Sequence, residues 1–203
     1  MSKRISLIVA DSGPLITLAM ADSLDVLLRQ NQRVIIPDMV KFEVTRDISK
    51  PGALRIHEWI RDHEPEEVFV ATTEIFENFL IVLKAKPNSV RVKGLAGENA
   101  ASEVLKREIN KNMDVGILLF EDGDVKTDDF LFRMPDNVLI MSTSEYLYGM
   151  EKAHLIDSAI DIIARAIPTR GYEIQNRFLK ASKGAEEFVG KYSDPFKPKF
   201  SKN

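Results

Sequence analysis

The chain has 203 residues, 44% hydrophobic and 29% charged, a composition and size that suit one α/β domain with additions and a sizeable buried core. It has no cysteine, which excludes disulfides and thiolate metal sites. Its formal net charge of -3 argues against broad nucleic-acid coating, and no run approaches the ~20 apolar residues that a membrane span needs.

The first element is written in "LIVADSGPLITLA", residues 7–19. Leu7 to Ala10 form an unbroken apolar run, as expected of a strand buried on both faces inside a parallel sheet. Lys3 and Arg4 precede this run, but it is short and ends at Asp11, unlike a signal peptide, so a cytoplasmic location is expected. Ser12, Gly13 and Pro14 make a turn into a helix on which Leu15, Leu18, Ala19 and Leu24 recur at helical spacing. Ligands of open α/β sheets bind at the carboxyl ends of strands, which is where Asp11 stands. Asp11 could equally serve only as the helix cap.

"VIIPDMVKFEV" repeats the theme. Val34 to Ile36 form a strand that Pro37 stops, and Asp38 caps the next helix. There Val40 and Val44 share a face, with Glu43 near the same side. A carboxylate at the edge of an inward face needs a partner or a cation, although Glu43 alone could be a solvated helix residue. A helix over Ala53 to Trp59, a strand within "EEVFVATT" (66–73) and a helix over 74–85 follow. "KAKPNSVRVKG" then carries four basic residues and no acid. In "GLAGENAASEVLKREI" Gly97 breaks the chain and Glu98 opens a helix with Ala101, Val104, Leu105 and Ile109 as its apolar stripe. Glu98 is also simply a favourable charge in a first turn. "VGILLFEDGDV" is a buried strand ending in Glu121, Asp122 and Asp124, where Asp-Gly is also a common turn pair. "KTDDFLFRMPD" (126–136) suggests a loop or lid. "NVLIMSTSEYLYG" is the last strand, ending in Ser142, Thr143 and Ser144. Trp59 is assigned to the core and the three histidines to no site.

Strands alternating with helices indicate βαβ units and a mainly parallel sheet covered on both faces. Residues 170–203 hold eight Lys or Arg against four Asp or Glu, a local +4. Arg177 and Lys180 in that stretch are candidates for a phosphate path, or for one solvated helix face. Three segments are expected: a domain over 1–168, a helical extension over 169–192 and a flexible basic tail over 193–203.

Asp11, Glu43, Glu98 and Asp122 each stand at a strand end or on the helix that follows one, positions that converge on one rim of a parallel sheet. Carboxylates gathered there repel one another unless a divalent cation neutralises them, and all-oxygen ligands select hard ions such as Mg²⁺ or Mn²⁺. Such an ion lowers the pKa of bound water and stabilises charge on phosphorus oxygens, which suits phosphodiester hydrolysis.

Taken together, the blocks "DSGPLITLAMADSLDVLL", "VIIPDMVKFEV", "GLAGENAASEVL", "ILLFEDGDV" and "VLIMSTSEYLYGMEKAHLI" resemble the PIN-domain nucleases. The branch they are most similar to is that of VapC-type toxins and DUF3368-like relatives. The resemblance spans roughly residues 5–165, and it rests on the order and spacing of the blocks. It implies a three-layer α/β/α fold with about five strands, and Mg²⁺- or Mn²⁺-dependent cleavage of RNA by metal-activated water. It assigns catalysis to Asp11, Glu43, Glu98 and Asp122 and metal binding to Asp11, Glu98 and Asp122, with Asp124 as a further ligand candidate. Ser12 and Thr143 would orient water or phosphate. It also implies a homodimer and, if the protein is a toxin, a cognate antitoxin. Two departures stand out: Phe120 lies where many relatives carry a small or hydroxylic residue, which is expected to narrow the site, and Ser142 replaces a usual glycine. The alternative is a non-catalytic PIN-like module that binds RNA or a protein.

Overall fold

In a computed structural model, residues 5–28, 33–85, 96–109, 115–121 and 137–170 are described. Five strands, β1 (Ile5–Val9), β2 (Arg33–Pro37), β3 (Val68–Ala71), β4 (Val115–Phe120) and β5 (Val138–Ser142), form one sheet in the order β3-β2-β1-β4-β5. Every neighbouring pair is parallel. Seven α-helices complete the described chain: α1 (Ser12–Met20), α2 (Asp38–Thr45), α3 (Ala53–His63), α4 (Glu74–Ala85), α5 (Ala96–Ile109), α6 (Thr143–Lys152) and α7 (Ala159–Arg170). A 3-10 turn, Leu24–Leu28, follows α1.

The apolar runs became strands because a parallel sheet is covered on both sides. Leu7, Val9, Ile117, Leu119 and Met141 enter one core layer with residues of α1, α2, α3, α6 and α7. Ile8, Ala10, Leu118 and Phe120 enter the other, with Ala101, Val104 and Leu105 of α5. Both layers draw on alternate residues of the same strands, and each fully buried Leu, Ile or Val contributes about 1.5–3 kcal/mol relative to exposure. This is the expected three-layer α/β/α arrangement. The chain first adds β2 and β3 on one side of β1, then reverses and adds β4 and β5 on the other. A right-handed crossover rule puts the helix of the returning connection on the opposite face, and α5 lies there.

Several local expectations need adjustment. The helix after β1 ends at Met20, and Leu24 opens the 3-10 turn instead, because Asp22 adopts a positive φ of 53° that interrupts helical geometry. Pro37 is the last residue of β2, aligned with Ala71, and does not stop the strand short. Pro37 rather than Asp38 is the N-cap position of α2. The Asp38 carboxylate instead accepts hydrogen bonds from the Thr73 N–H at 2.9 Å and the Thr73 hydroxyl at 2.7 Å, fastening the start of α2 to the β3–α4 junction. The helix predicted to end at Trp59 runs to His63. Trp59 is buried as expected, and its indole N–H donates to Asp25 at 2.9 Å. Phe76 and Phe79 of α4 each lie 5.4 Å, centroid to centroid, from Phe42 of α2, an aromatic contact that holds the outer helix in place.

Candidate functional site

The reversal of direction after β3 creates a topological switch point between β1 and β4, and in open α/β sheets the crevice outside the carboxyl ends at such a point is where ligands bind. Asp11 stands there. Its backbone is extended (φ -147°, ψ 157°), continuing β1 for two residues before α1 begins, and its side chain accepts the Gly13 N–H at 2.8 Å as the helix cap. The Ser12 hydroxyl donates to the same Oδ1 at 3.3 Å. Cap and site were alternatives at the sequence level; the geometry allows both, because the second oxygen, Oδ2, faces β4 and accepts the Glu121 N–H at 3.1 Å.

Glu121 follows directly from the register. Val9 is aligned with Leu119, so two residues on, on the same side of the sheet, Asp11 falls beside Glu121. Phe120 is aligned with Ser142, which sets Thr143 beside Glu121 in turn. Val9, Leu119 and Met141 all belong to one core layer, and the next same-side positions along these three strands are Asp11, Glu121 and Thr143. The apolar row thus ends in a polar one. Thr17, fully buried on α1, donates to Glu121 Oε1 at 2.6 Å.

Gly13 makes this packing possible. A Cβ built on it would lie 2.5 Å from Glu121 Oε2, 2.6 Å from Glu121 Cβ and 3.1 Å from Asp11 Oδ2. An alanine in a helix ordinarily gains about 0.5–1 kcal/mol over glycine. Here overpacking should outweigh that gain, so Gly13→Ala is expected to destabilise by about 1–3 kcal/mol in urea unfolding. A variant at least as stable as wild type would mean that Glu121 does not occupy the space above Gly13.

The second half of the rim is built around the start of α5. A Cβ on Gly97 would stand 3.2 Å from the Ala10 carbonyl oxygen, 3.3 Å from Val40 Cγ2 and 3.7 Å from Glu43 Oε2. The absence of a side chain at Gly97 therefore lets α5 begin against the end of β1 and against α2. The Glu43 carboxylate comes close to the helix turn that contains Glu98, and Ala10, next to Asp11, touches the same turn. Glu43 is half-buried.

At the far strand, Ser142 has an ordinary extended backbone (φ -73°, ψ 162°), which any residue adopts, so no glycine is needed there. It caps α6: the Glu145 N–H donates to Ser142 Oγ at 3.2 Å, and the Ser142 N–H donates back to Glu145 Oε2 at 2.7 Å. Thr143 is fully buried, and its hydroxyl has no hydrogen-bond partner among the described residues. Phe120 does not narrow the rim as expected. It is buried in the opposite core layer with Ile8, Ala10 and Leu105, pointing away from the side that carries Asp11 and Glu121.

Of the sequence candidates, Asp11, Ser12, Glu43 and Thr143 are placed along the carboxyl rim, and the Glu98 backbone lies in the first turn of α5. Asp122, Asp124, Arg177 and Lys180 lie outside the described residues, as does the 126–136 segment. Among the described residues no three carboxylate or histidine side chains come together closely enough to hold an ion. Glu121 and Thr17, which the structure brings to the same rim, were not among the sequence candidates.

The oxygen chemistry of this rim, carboxylates of Asp11 and Glu121 beside a buried hydroxyl that lacks a partner among the described residues, fits a hard divalent cation. No helix among the described residues is long and apolar enough to cross a membrane. No curated protein and no solved structure matches the chain. A family model described as DUF3368, a PIN domain, matches residues 7–113, more than half of the sequence. The chain, with its nuclease-type fold, therefore belongs to the PIN-domain family.

Proposed function

We propose that the protein is an endoribonuclease that hydrolyses RNA phosphodiesters and depends on Mg²⁺ or Mn²⁺. The observation that carries this reading is the position of Asp11 at the β1–β4 switch point, with a second carboxylate, Glu121, on the adjoining strand end. Asp11, Glu43, Glu98 and Asp122 are assigned to the catalytic site, Asp11, Glu98, Asp122 and Asp124 to holding the cation, and Arg177 and Lys180 to contact with RNA phosphates. The cation, when bound, supplies Lewis acidity and lowers the pKa of water.

The chain's own residues prepare the place. The Gly13 N–H fixes one Asp11 oxygen and the Glu121 N–H the other, so the carboxylate is oriented before any ligand arrives. The positive end of the α1 dipole is favourable to an approaching phosphate. Ser12, whose hydroxyl is 3.3 Å from Asp11 Oδ1, and Thr143 are assigned to orienting water or a phosphate oxygen. A homodimer, a cognate antitoxin and a cytoplasmic setting complete the reading; a short gene for a DNA-binding protein overlapping just upstream would support the antitoxin.

The test is cleavage of a mixed-sequence RNA by the purified full chain. Cleavage is expected with Mn²⁺, is expected to stop with excess EDTA, and should return when Mn²⁺ is restored. Intact RNA under all three conditions, with the protein folded, would favour a non-catalytic PIN-like binding module instead.

A further inference from the structure

Residues 72–75, the corner between β3 and α4, include no candidate site residue, yet two helices of the rim grip them from different sides. We propose that this corner is a spacer that sets the gap between α2 and α5, so that Asp38, Glu103 and Arg107 position Glu43 and Glu98 for RNA cleavage. The inference rests on the nuclease reading of those two glutamates.

The backbone groups of the corner are taken in alternation by the two helices. The Thr72 carbonyl accepts from Arg107 Nη1 of α5 at 2.9 Å. The Thr73 N–H donates to Asp38 Oδ2 of α2 at 2.9 Å, and its hydroxyl to Asp38 Oδ1 at 2.7 Å. The Glu74 and Ile75 N–H groups then donate to the Glu103 carboxylate of α5, at 3.0 and 3.5 Å. The first N–H groups of a helix need acceptors, and a local side chain ordinarily caps them. α4 already has such a cap, because the Thr73 hydroxyl accepts the Phe76 N–H at 3.2 Å. Asp38 and Glu103 therefore do more than start the helix. Their carboxylates, from two separate helices, meet at one positive helix end that attracts both. Thr73 is buried, which shelters the α2 end of the connection from water.

The gap held in this way is the one between the two site-bearing helices. Glu43 is on α2, and Glu98 is in the first turn of α5. Where the helices meet at the rim, α5 presents a glycine: a Cβ on Gly97 would lie 3.3 Å from Val40 Cγ2 and 3.7 Å from Glu43 Oε2. A glycine allows close approach but has no side chain to fix the spacing, so the support comes from farther along α5. Glu103 and Arg107, four residues apart and so on one face, brace that helix against the corner. Fixed at two points, α5 is held in rotation as well as in distance. Asp38, Glu103 and Arg107 are positioning residues, acting through the helices that bear them.

The test compares the full-length wild type with Glu103→Ala, Asp38→Ala, the double variant and Glu103→Gln, each well below its own unfolding midpoint. Cleavage of a mixed-sequence RNA with Mn²⁺ gives kcat and KM. Hydrogen exchange is read on peptides from α5 and from the distant α6. A misplacement of about 1 Å can cost about 100-fold in rate, so each alanine variant should lose about tenfold or more in kcat, with KM within about twofold of wild type. A spacer undone at one end no longer spaces, so the double variant should be at most about twofold slower than Asp38→Ala alone. Glu103→Gln, whose amide carbonyl still accepts the Glu74 N–H, should recover most of kcat. In Glu103→Ala, exchange should quicken in α5 and stay unchanged in α6, the mark of local rather than global opening. Wild-type kcat in both alanine variants, or losses that multiply in the double variant, would overturn the spacer and leave the nuclease reading standing. Exchange that quickens equally in α5 and α6 would also overturn it, as general destabilisation. Wild-type protein that leaves RNA intact would remove the nuclease reading, and the exchange experiment would then decide by itself whether the corner holds α5.

Discussion

Replacing Asp11 with Asn is expected to abolish Mn²⁺-dependent RNA cleavage while leaving the protein folded. A partner that merely orients a metal ligand already costs about 10–100-fold, so losing the charged oxygen of a ligand itself should exceed about 100-fold. The fold should tolerate the change because Asn and Asp cap helices about equally well, and the Asn carbonyl can still accept the Gly13 N–H. One bond is lost: the Asn amide group faces the Glu121 N–H, which then lacks its acceptor. That costs about 1–3 kcal/mol, partly offset by relief of repulsion from the Glu121 carboxylate. At about 2–4 °C per kcal/mol for a chain of this size, the unfolding midpoint should drop by only a few degrees. Asp11→Ala, which loses both bonds, should fall further. Glu43→Gln should repeat the loss of cleavage from the opposite side of the rim. Cleavage and thermal melts measured on the same preparations separate the two effects. Cleavage surviving in both Asp11→Asn and Glu43→Gln would remove these residues from the mechanism.

The contrast between Asp11 and Glu121 shows what the sequence makes legible. Runs such as Leu7 to Ala10 and Ile117 to Phe120 announce fully buried parallel strands, because covering a sheet on both faces leaves no place for alternation with polar residues. Asp11 is conspicuous because it ends such a run and abuts a Pro-led helix. The strand order is not legible, since whether β4 joins β1 or β3 depends on pairings between residues more than a hundred positions apart. Without the order, nothing distinguishes Glu121 from Asp122. With it, the alternation that sends Leu119 into the α1 layer sends Glu121 the same way. Asp38 illustrates the same limit. Its local context reads as a helix cap, and only the folding of β3 beside β2 brings Thr73 to its carboxylate. The reading of Phe120 failed for the complementary reason: its neighbourhood in sequence is acidic, but its neighbours in space are Ala101, Leu105 and Ile8.

That placement makes Phe120→Ala the counterpart of Asp11→Asn, with a large effect on stability and little on the metal. Phe120 is 2% exposed and fills the layer between β4 and α5. Removing a buried aromatic ring costs both its transfer free energy and the cavity left behind, about 3–5 kcal/mol. Relaxation is limited, because the surrounding layer is small and bounded by the strand ladders on either side of β4. At about 2–4 °C per kcal/mol, the midpoint should fall by about 6–20 °C. Mn²⁺ affinity measured well below that midpoint should stay close to wild type, because the ring lies on the side of β4 opposite the Glu121 carboxylate. Calorimetry on the folded variant, paired with a thermal melt, reads both quantities. A variant that unfolds like wild type but binds Mn²⁺ poorly would put the ring in the site after all, and would mean that the alternation along β4 breaks before Phe120. Alternation is also what sends Glu121 toward Asp11, so the two residues test one geometric premise from opposite faces of the sheet.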